Sequence, residues 1–173
     1  MTSPAIREGT PGDRAEIFAL YPRAFPDEDL LPLLRTLLDE IGVLSLVAIA
    51  EGRLAGHVAF TECGISDGER KLALLGPVAV APERQRQGIG GALIREGLDR
   101  LAGRGVSRVF VLGDPAYYGR FGFRPERRVQ PPYPLPEEWR DAWQSQPLGE
   151  EKPAPAGTLV VPPCWRDPAL WSD

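Results

Sequence analysis

The chain is poor in the residues from which covalent staples and metal centres are built. Two cysteines, Cys63 and Cys164, and a single histidine, His57, stand among 173 residues. Two cysteines without C-x-x-C spacing make neither a disulfide framework nor a zinc site, so both are expected as buried free thiols. A lone histidine inside an apolar run is expected in the core or at an edge rather than as a base or metal ligand. No metal is called for. No apolar run approaches the roughly 18 residues of a membrane span, and none follows a basic N-terminus as a signal peptide does. The expectation is a cytoplasmic protein without membrane contact. Positive charge in excess is also missing: the formal net charge is −4, whereas general nucleic-acid binding needs a basic face. No nucleic-acid partner is expected. Internal repeats are absent too, and residues 1–173 read as one domain, long enough to bury about 70% of the surface of its unfolded chain.

What the chain has is a stretch from Leu75 to Ile94 that reads as strand, tight loop and helix start. Val78 to Ala81 is short and β-branched, and Pro82 ends its ladder. Ile89, Leu93, Leu98 and Leu101 then give one apolar face to a helix predicted over residues 87–103, with Arg95, Glu96, Asp99 and Arg100 on the other. Gly88, Gly90 and Gly91 lie between. Glycine costs a helix interior about 1 kcal/mol relative to alanine, so three of them at one helix start point to another use. Without Cβ atoms the unpaired N–H groups of the first turn can converge on a phosphate, and the positive end of the helix dipole adds attraction. Arg84 and Arg86 flank that turn. The alternative is a glycine-softened connection with solvated arginines. A dinucleotide fingerprint would need glycine where Leu93 stands, and a P-loop would need Gly-Lys-Ser/Thr, which the chain lacks.

Elsewhere the patterning predicts a mixed α/β chain. Ala5 to Gly9 is an edge strand, and Thr10 caps a helix with Pro11 at its first position, stopped at Tyr21-Pro22. Pro26-Asp-Glu-Asp opens a second helix with Leu30, Leu31, Leu34, Leu37 and Leu38 on its apolar face. Residues 44–50 and 54–60 form a hairpin around Glu51-Gly52-Arg53, and a strand over 71–80 follows. Gly103-Arg104-Gly105 caps the central helix. A fifth strand covers 107–112, Asp114-Pro115 starts a short helix, and a sixth strand begins near Phe121. Residues 126–173 form a loop-rich extension. There Trp139 and Trp143, four apart, are expected on one side of a short helix, and the last strand near 157–161. Arginines crowd the central helix and follow the tyrosines, while acids gather at 27–29, 39–40 and 137–141, a split suited to a polyanionic cofactor and a cationic amine.

Gln85-Arg-Gln-Gly88-Ile-Gly90 matches the Gln/Arg-x-x-Gly-x-Gly/Ala motif of the GNAT superfamily of acetyl-CoA-dependent N-acetyltransferases. Val109 to Phe123, with Tyr118-Gly-Arg-Phe-Gly122-Phe123, resembles the family's next strand, short helix and Tyr-x-x-x-Gly-Phe element. The resemblance implies six or seven strands in a splayed, mostly antiparallel sheet with helices on both faces. It also implies acetyl-CoA as cosubstrate and a primary amine as acceptor. The backbone of Val78, Ala79 and Val80 would pair with the pantetheine arm, and Gln85, Arg86, Gln87, Gly88, Ile89, Gly90 and Gly91 would cradle the pyrophosphate. Tyr118 falls where many members place the acid that protonates the departing thiolate, with Tyr117 the lesser candidate. Glu62, His57 or a water chain stay open as the base, and a homodimer stays open as the assembly. An acetyl-CoA sensor, an inactive module and an acyltransferase using another acyl chain or a hydroxyl acceptor are the other readings.

Overall fold

A computed structural model describes residues 3–149 and 154–172. The chain forms two compact units. One comprises the chain up to Phe60 with Gly76–Gly97, and the other Thr61–Leu75 with the chain from Leu98 onward.

In the first unit, β1 (Ala5–Glu8) pairs antiparallel with β2 (Val43–Ala50), Ala5 opposite Ile49. Glu51 and Gly52, with φ of 51° and 75°, turn β2 into β3 (Arg53–Ile65), the hairpin that the Gly turn predicts. At the start of α1 (Arg14–Ala24), Asp13 accepts the Thr10 N–H at 2.7 Å and grips Arg7 through both oxygens. The Arg7 guanidinium holds this carboxyl well below the usual carboxylate range. Contrary to expectation, α1 does not stop at Tyr21-Pro22. Pro22 lies inside its last turn, which is held by burial of Tyr21 and by the Phe25 N–H donating to the Tyr21 carbonyl at 2.8 Å.

The second helix also departs from expectation. Residues 26–28 are turn and bend, residues 29–30 are irregular, and α2 is confined to Leu31–Leu37. Pro32 explains this: in the first turn its missing N–H is harmless, whereas in a helix opened at Pro26 it would clash with the carbonyl of residue 28. Leu33, Leu34 and Leu37 are buried. β4 (Gly68–Val80) leads to α3 (Ile89–Gly103), which starts two residues later than the patterning suggests. α3 lies very close to β3. A Cβ on Gly56 would sit 3.0 Å from Leu93, and one on Gly97 would sit 2.0 Å from the Phe60 ring.

In the second unit, β4 runs parallel to β5 (Arg108–Leu112), with Leu72 opposite Arg108 and Leu75 opposite Val111. α3 ends as expected. Gly105 has φ of 83°, its N–H reaches the Ala102 carbonyl at 3.2 Å, and the Val106 N–H reaches the Leu101 carbonyl at 3.0 Å. After α4 (Pro115–Tyr118) come β6 (Arg124–Pro125), β7 (Val129–Gln130), β8 (Trp143–Pro147) and β9 (Gly157–Val160). Nine strands are thus present among the described residues, β7 and β8 being the unexpected ones. β4–β5 and β7–β9 are parallel, whereas β1–β2, β3–β9, β5–β8 and β6–β8 are antiparallel.

Trp139 and Trp143 do not share a helix. Trp139 lies in a 3₁₀ turn (Glu137–Ala142), and Trp143 opens β8 opposite Leu112, stacked on Phe110 at 5.5 Å. The Trp143 indole donates to the Val129 carbonyl at 2.8 Å, a tertiary bond that overrides the four-residue spacing. The tail is built into this unit through its indoles. Trp165 donates to the Thr61 hydroxyl and Trp171 to the Trp165 carbonyl, each at 3.0 Å. Cys63 and Cys164 are buried free thiols, as expected. Among the described residues no helix is long and apolar enough to cross a membrane.

Candidate functional site

The expected cofactor residues lie on one continuous strand, turn and helix start in the first unit. At the end of β4 the Ala81 N–H donates to the Ala55 carbonyl at 2.8 Å, after which Pro82–Arg84 make a 3₁₀ turn. Val78 and Val80 are half-buried and Ala79 is buried. The Gln85 amide reaches back to the Val80 carbonyl at 3.2 Å, tying the turn to the strand. Arg86 and Gly88 have φ of 65° and 82°, while Gln87 between them is not in the positive-φ region. Alternation of backbone hand turns successive N–H groups toward one side, the arrangement of an anion-binding nest. Ile89 is buried and anchors the helix start, whereas Gln85 to Gly88 are exposed. The Ala92 N–H donating to the Gly88 carbonyl at 3.0 Å is the first α-helical bond, so the N–H groups of Arg86 to Gly91 have no intrahelical partner.

The flanking charges are divided. Arg84 pairs with Glu51 at 2.8 Å and Glu83 pairs with Arg23, leaving Arg86 without an ion pair among the described residues. Exposed N–H groups, a helix N-terminus and one available guanidinium fit a diphosphate.

Tyr118 belongs to the second unit. Asp114 caps α4 by accepting the Ala116 N–H at 2.9 Å, and Gly122, with φ of 100°, reverses the chain after the following 3₁₀ turn. That reversal sets Phe123 edge-on to Tyr118 at 5.9 Å, with Tyr117 edge-on at 5.0 Å. A Cβ on Gly113 would meet the Tyr118 ring at 2.4 Å, so only glycine there leaves the ring its place. Gly113 is a positioning residue that sequence reasoning passed over. Its signal, a glycine between strand and Asp-Pro helix start, reads as a turn until the ring upon it is seen. Burial pushes the Tyr118 phenol well above its ordinary value, so it is protonated at neutral pH. Tyr117 carries the Arg120 guanidinium on its face at 4.8 Å.

The two candidate bases have opposite surroundings. His57 is fully buried in the first unit, its Nδ1 bonded to the Tyr21 hydroxyl at 2.7 Å and its Nε2 to the Ser45 hydroxyl at 2.8 Å. Burial pulls its pKa down to about 3, so it is a neutral, satisfied core residue. Glu62 is exposed on β3 in the second unit. Among the described residues no three His, Cys, Asp or Glu side chains gather as a metal site would need.

The family described as Acetyltransferase (GNAT) domain matches residues 5–125. The uncharacterized N-acetyltransferase YjhQ of Escherichia coli (strain K12) is 39% identical over 145 residues, covering 79% of this chain and 80% of that protein. The crystal structure of the N-acetyltransferase YhbS from Escherichia coli, in complex with CoA, superposes with a TM-score of 0.85 at 28% identity, over 96% of this chain and 94% of that one. A GNAT family acetyltransferase from Brucella melitensis, in complex with acetyl-CoA, gives a TM-score of 0.75 at 33% identity, over 94% and 97% of the two chains.

Proposed function

Since the chain belongs to the GNAT acetyltransferases, we propose that it transfers the acetyl group of acetyl-CoA directly to a primary amine. The observation that carries this is the turn Gln85 to Gly88, whose alternating backbone presents N–H groups beside the available guanidinium of Arg86. CoA and acetyl-CoA in two similar structures support the choice of ligand.

Acetyl-CoA supplies a thioester: the amine nitrogen bonds to the carbonyl carbon as the C–S bond breaks, the nitrogen sheds a proton and the thiolate gains one. In this reading the backbone of Val78, Ala79 and Val80 holds the amide-rich arm. Residues Gln85 to Gly91 hold the diphosphate through N–H groups and Arg86. Tyr118 carries the proton for the thiolate, since a protonated phenol can donate to a thiolate whose conjugate thiol ordinarily titrates near about 8.5. The proton shed by nitrogen does not pass through His57, whose two ring nitrogens are engaged in the core.

The test is a melting curve with and without acetyl-CoA, followed by thiol release over a panel of amines. At about 100 times its dissociation constant the ligand adds roughly 2.7 kcal/mol to the unfolding free energy, a visible rise in Tm. An unchanged curve would overturn the proposal. With an amine in hand, Tyr118→Phe should keep acetyl-CoA affinity while the single-turnover rate falls by about 10 to 10⁴-fold. An undiminished rate removes Tyr118 from the chemistry.

A further inference from the structure

In the second unit, β7, the start of β8 and the 3₁₀ turn Glu137–Ala142 border a cavity of about 690 Å³, within the range of small-molecule sites. Pro131, Tyr133, Leu135 and Trp143 give it an apolar wall. Four charged residues also line it, and two of them are already engaged. Glu126 accepts the Arg128 and Val129 N–H groups at 2.7 and 2.8 Å and the Ser145 hydroxyl, and stands 3.7 Å from Arg108. Arg127 pairs with Asp141 and donates to the Arg140 carbonyl at 3.1 Å. Glu137 and Arg140 form no ion pair among the described residues. Both sit on the 3₁₀ turn three positions apart, where side chains eclipse, so one anion and one cation share one wall.

A ligand matched to that pair carries an ammonium and a carboxylate close together, with an aliphatic portion for the apolar wall. The location suits an acceptor. The Gly113 N–H donates to the Ala142 carbonyl at 3.0 Å and Trp143 stands opposite Leu112, so the turn is fixed at the end of β5 from which α4 and Tyr118 also depart.

We infer that the cavity holds the acceptor as a free diamino acid, its α-carboxylate on Arg140 and its α-ammonium on Glu137. The assignment of acceptor rests on the proposed acetyl transfer and narrows it. An ammonium held by a carboxylate has no lone pair to attack with, so the nitrogen that takes the acetyl group is the side-chain amine. That side-chain nitrogen, an ammonium in free solution, gives one proton to water before it attacks and a second as the C–N bond forms and the C–S bond breaks, while the thiolate takes up one.

Lysine and cadaverine, which differ by the carboxylate alone, are the discriminating pair. Lysine is expected to exceed cadaverine in kcat/KM at least tenfold, through KM, with the acetyl group on the side-chain nitrogen by mass spectrometry. Arg140→Gln should bring the ratio toward one, and Glu137→Gln should raise KM for lysine. Both residues are exposed, and unchanged melting curves would show the variants folded. Equal rates, a ratio that survives Arg140→Gln, or acetylation of the α-nitrogen would overturn the inference. Calorimetric titration with lysine separates the two claims. Binding to the wild type that Arg140→Gln abolishes supports the cavity even if no amine is acetylated, in which case acetyl transfer alone fails. Absence of lysine binding overturns the inference whatever the enzyme does with other amines.

Discussion

Arg86 combines a charge that a diphosphate would use with a backbone that an L side chain adopts at a cost of about 1–2 kcal/mol. Its φ of 65° is one of two positive values at non-glycine residues among the described residues. Strain kept in the turn proposed to hold the diphosphate suits use of the side chain. Arg86→Gly separates the two properties: the melting temperature should hold or rise, while acetyl-CoA affinity falls several-fold, more at low salt than at high. A drop in Tm with unchanged affinity would show that the residue serves the fold. The sequence displayed the motif but not this conformation, because φ at position 86 follows from how β4 and α3 are joined rather than from any propensity of arginine. Tyr118 and Gly122 were legible from spacing, whereas the role of Gly113 depends on where a ring lands.

At the scale of elements, legibility follows the source of each element's stability. The β2–β3 hairpin, α3 and β5 carry their own periodicity and start within two residues of where the pattern places them, although β3 runs on to Ile65. β8 does not. Gln144 and Ser145 are polar yet buried, because Gln144 donates to the Gly113 carbonyl at 3.0 Å and Ser145 bonds to Glu126. Such a strand is written in hydrogen bonds rather than in hydropathy. α3 illustrates the converse, an element whose least favourable residue is fixed by packing. Gly97 weakens the helix by about 1 kcal/mol relative to alanine, but an alanine Cβ there would collide with the buried Phe60 ring. Gly97→Ala should therefore destabilise by about 1–3 kcal/mol net of any propensity gain, read as a lower denaturant midpoint. A midpoint that rises would mean that β3 yields easily to α3.

For the molecule as a whole, burial of His57 sets a pH dependence of stability. Its folded pKa of about 3 lies below the ordinary value of 6.5, so between these the unfolded chain takes up a proton that the folded chain refuses. Stability from this group is complete above about pH 6.5 and is lost as pH falls toward 3, with a slope of at most about 1.4 kcal/mol per pH unit. Between about pH 6.5 and 5, before exposed carboxylates titrate, Tm should decline in the wild type and much less in His57→Gln. A flat wild-type curve in that window would mean that His57 meets protons without unfolding. The lone histidine was legible as a core residue, but its partners Tyr21 and Ser45 were not, since three separate segments bring them together.

All four tryptophans lie at or beyond position 139, and three of their indoles form an edge-to-face chain, Trp143 to Trp171 at 5.8 Å and Trp171 to Trp165 at 6.0 Å. Light absorbed by any of these three is shared within one buried cluster. The emission of these three indoles is accordingly a local signal, sensitive to the docking of Trp165 and Trp171. A titration followed by that emission therefore reports on the second unit, to which the cluster belongs.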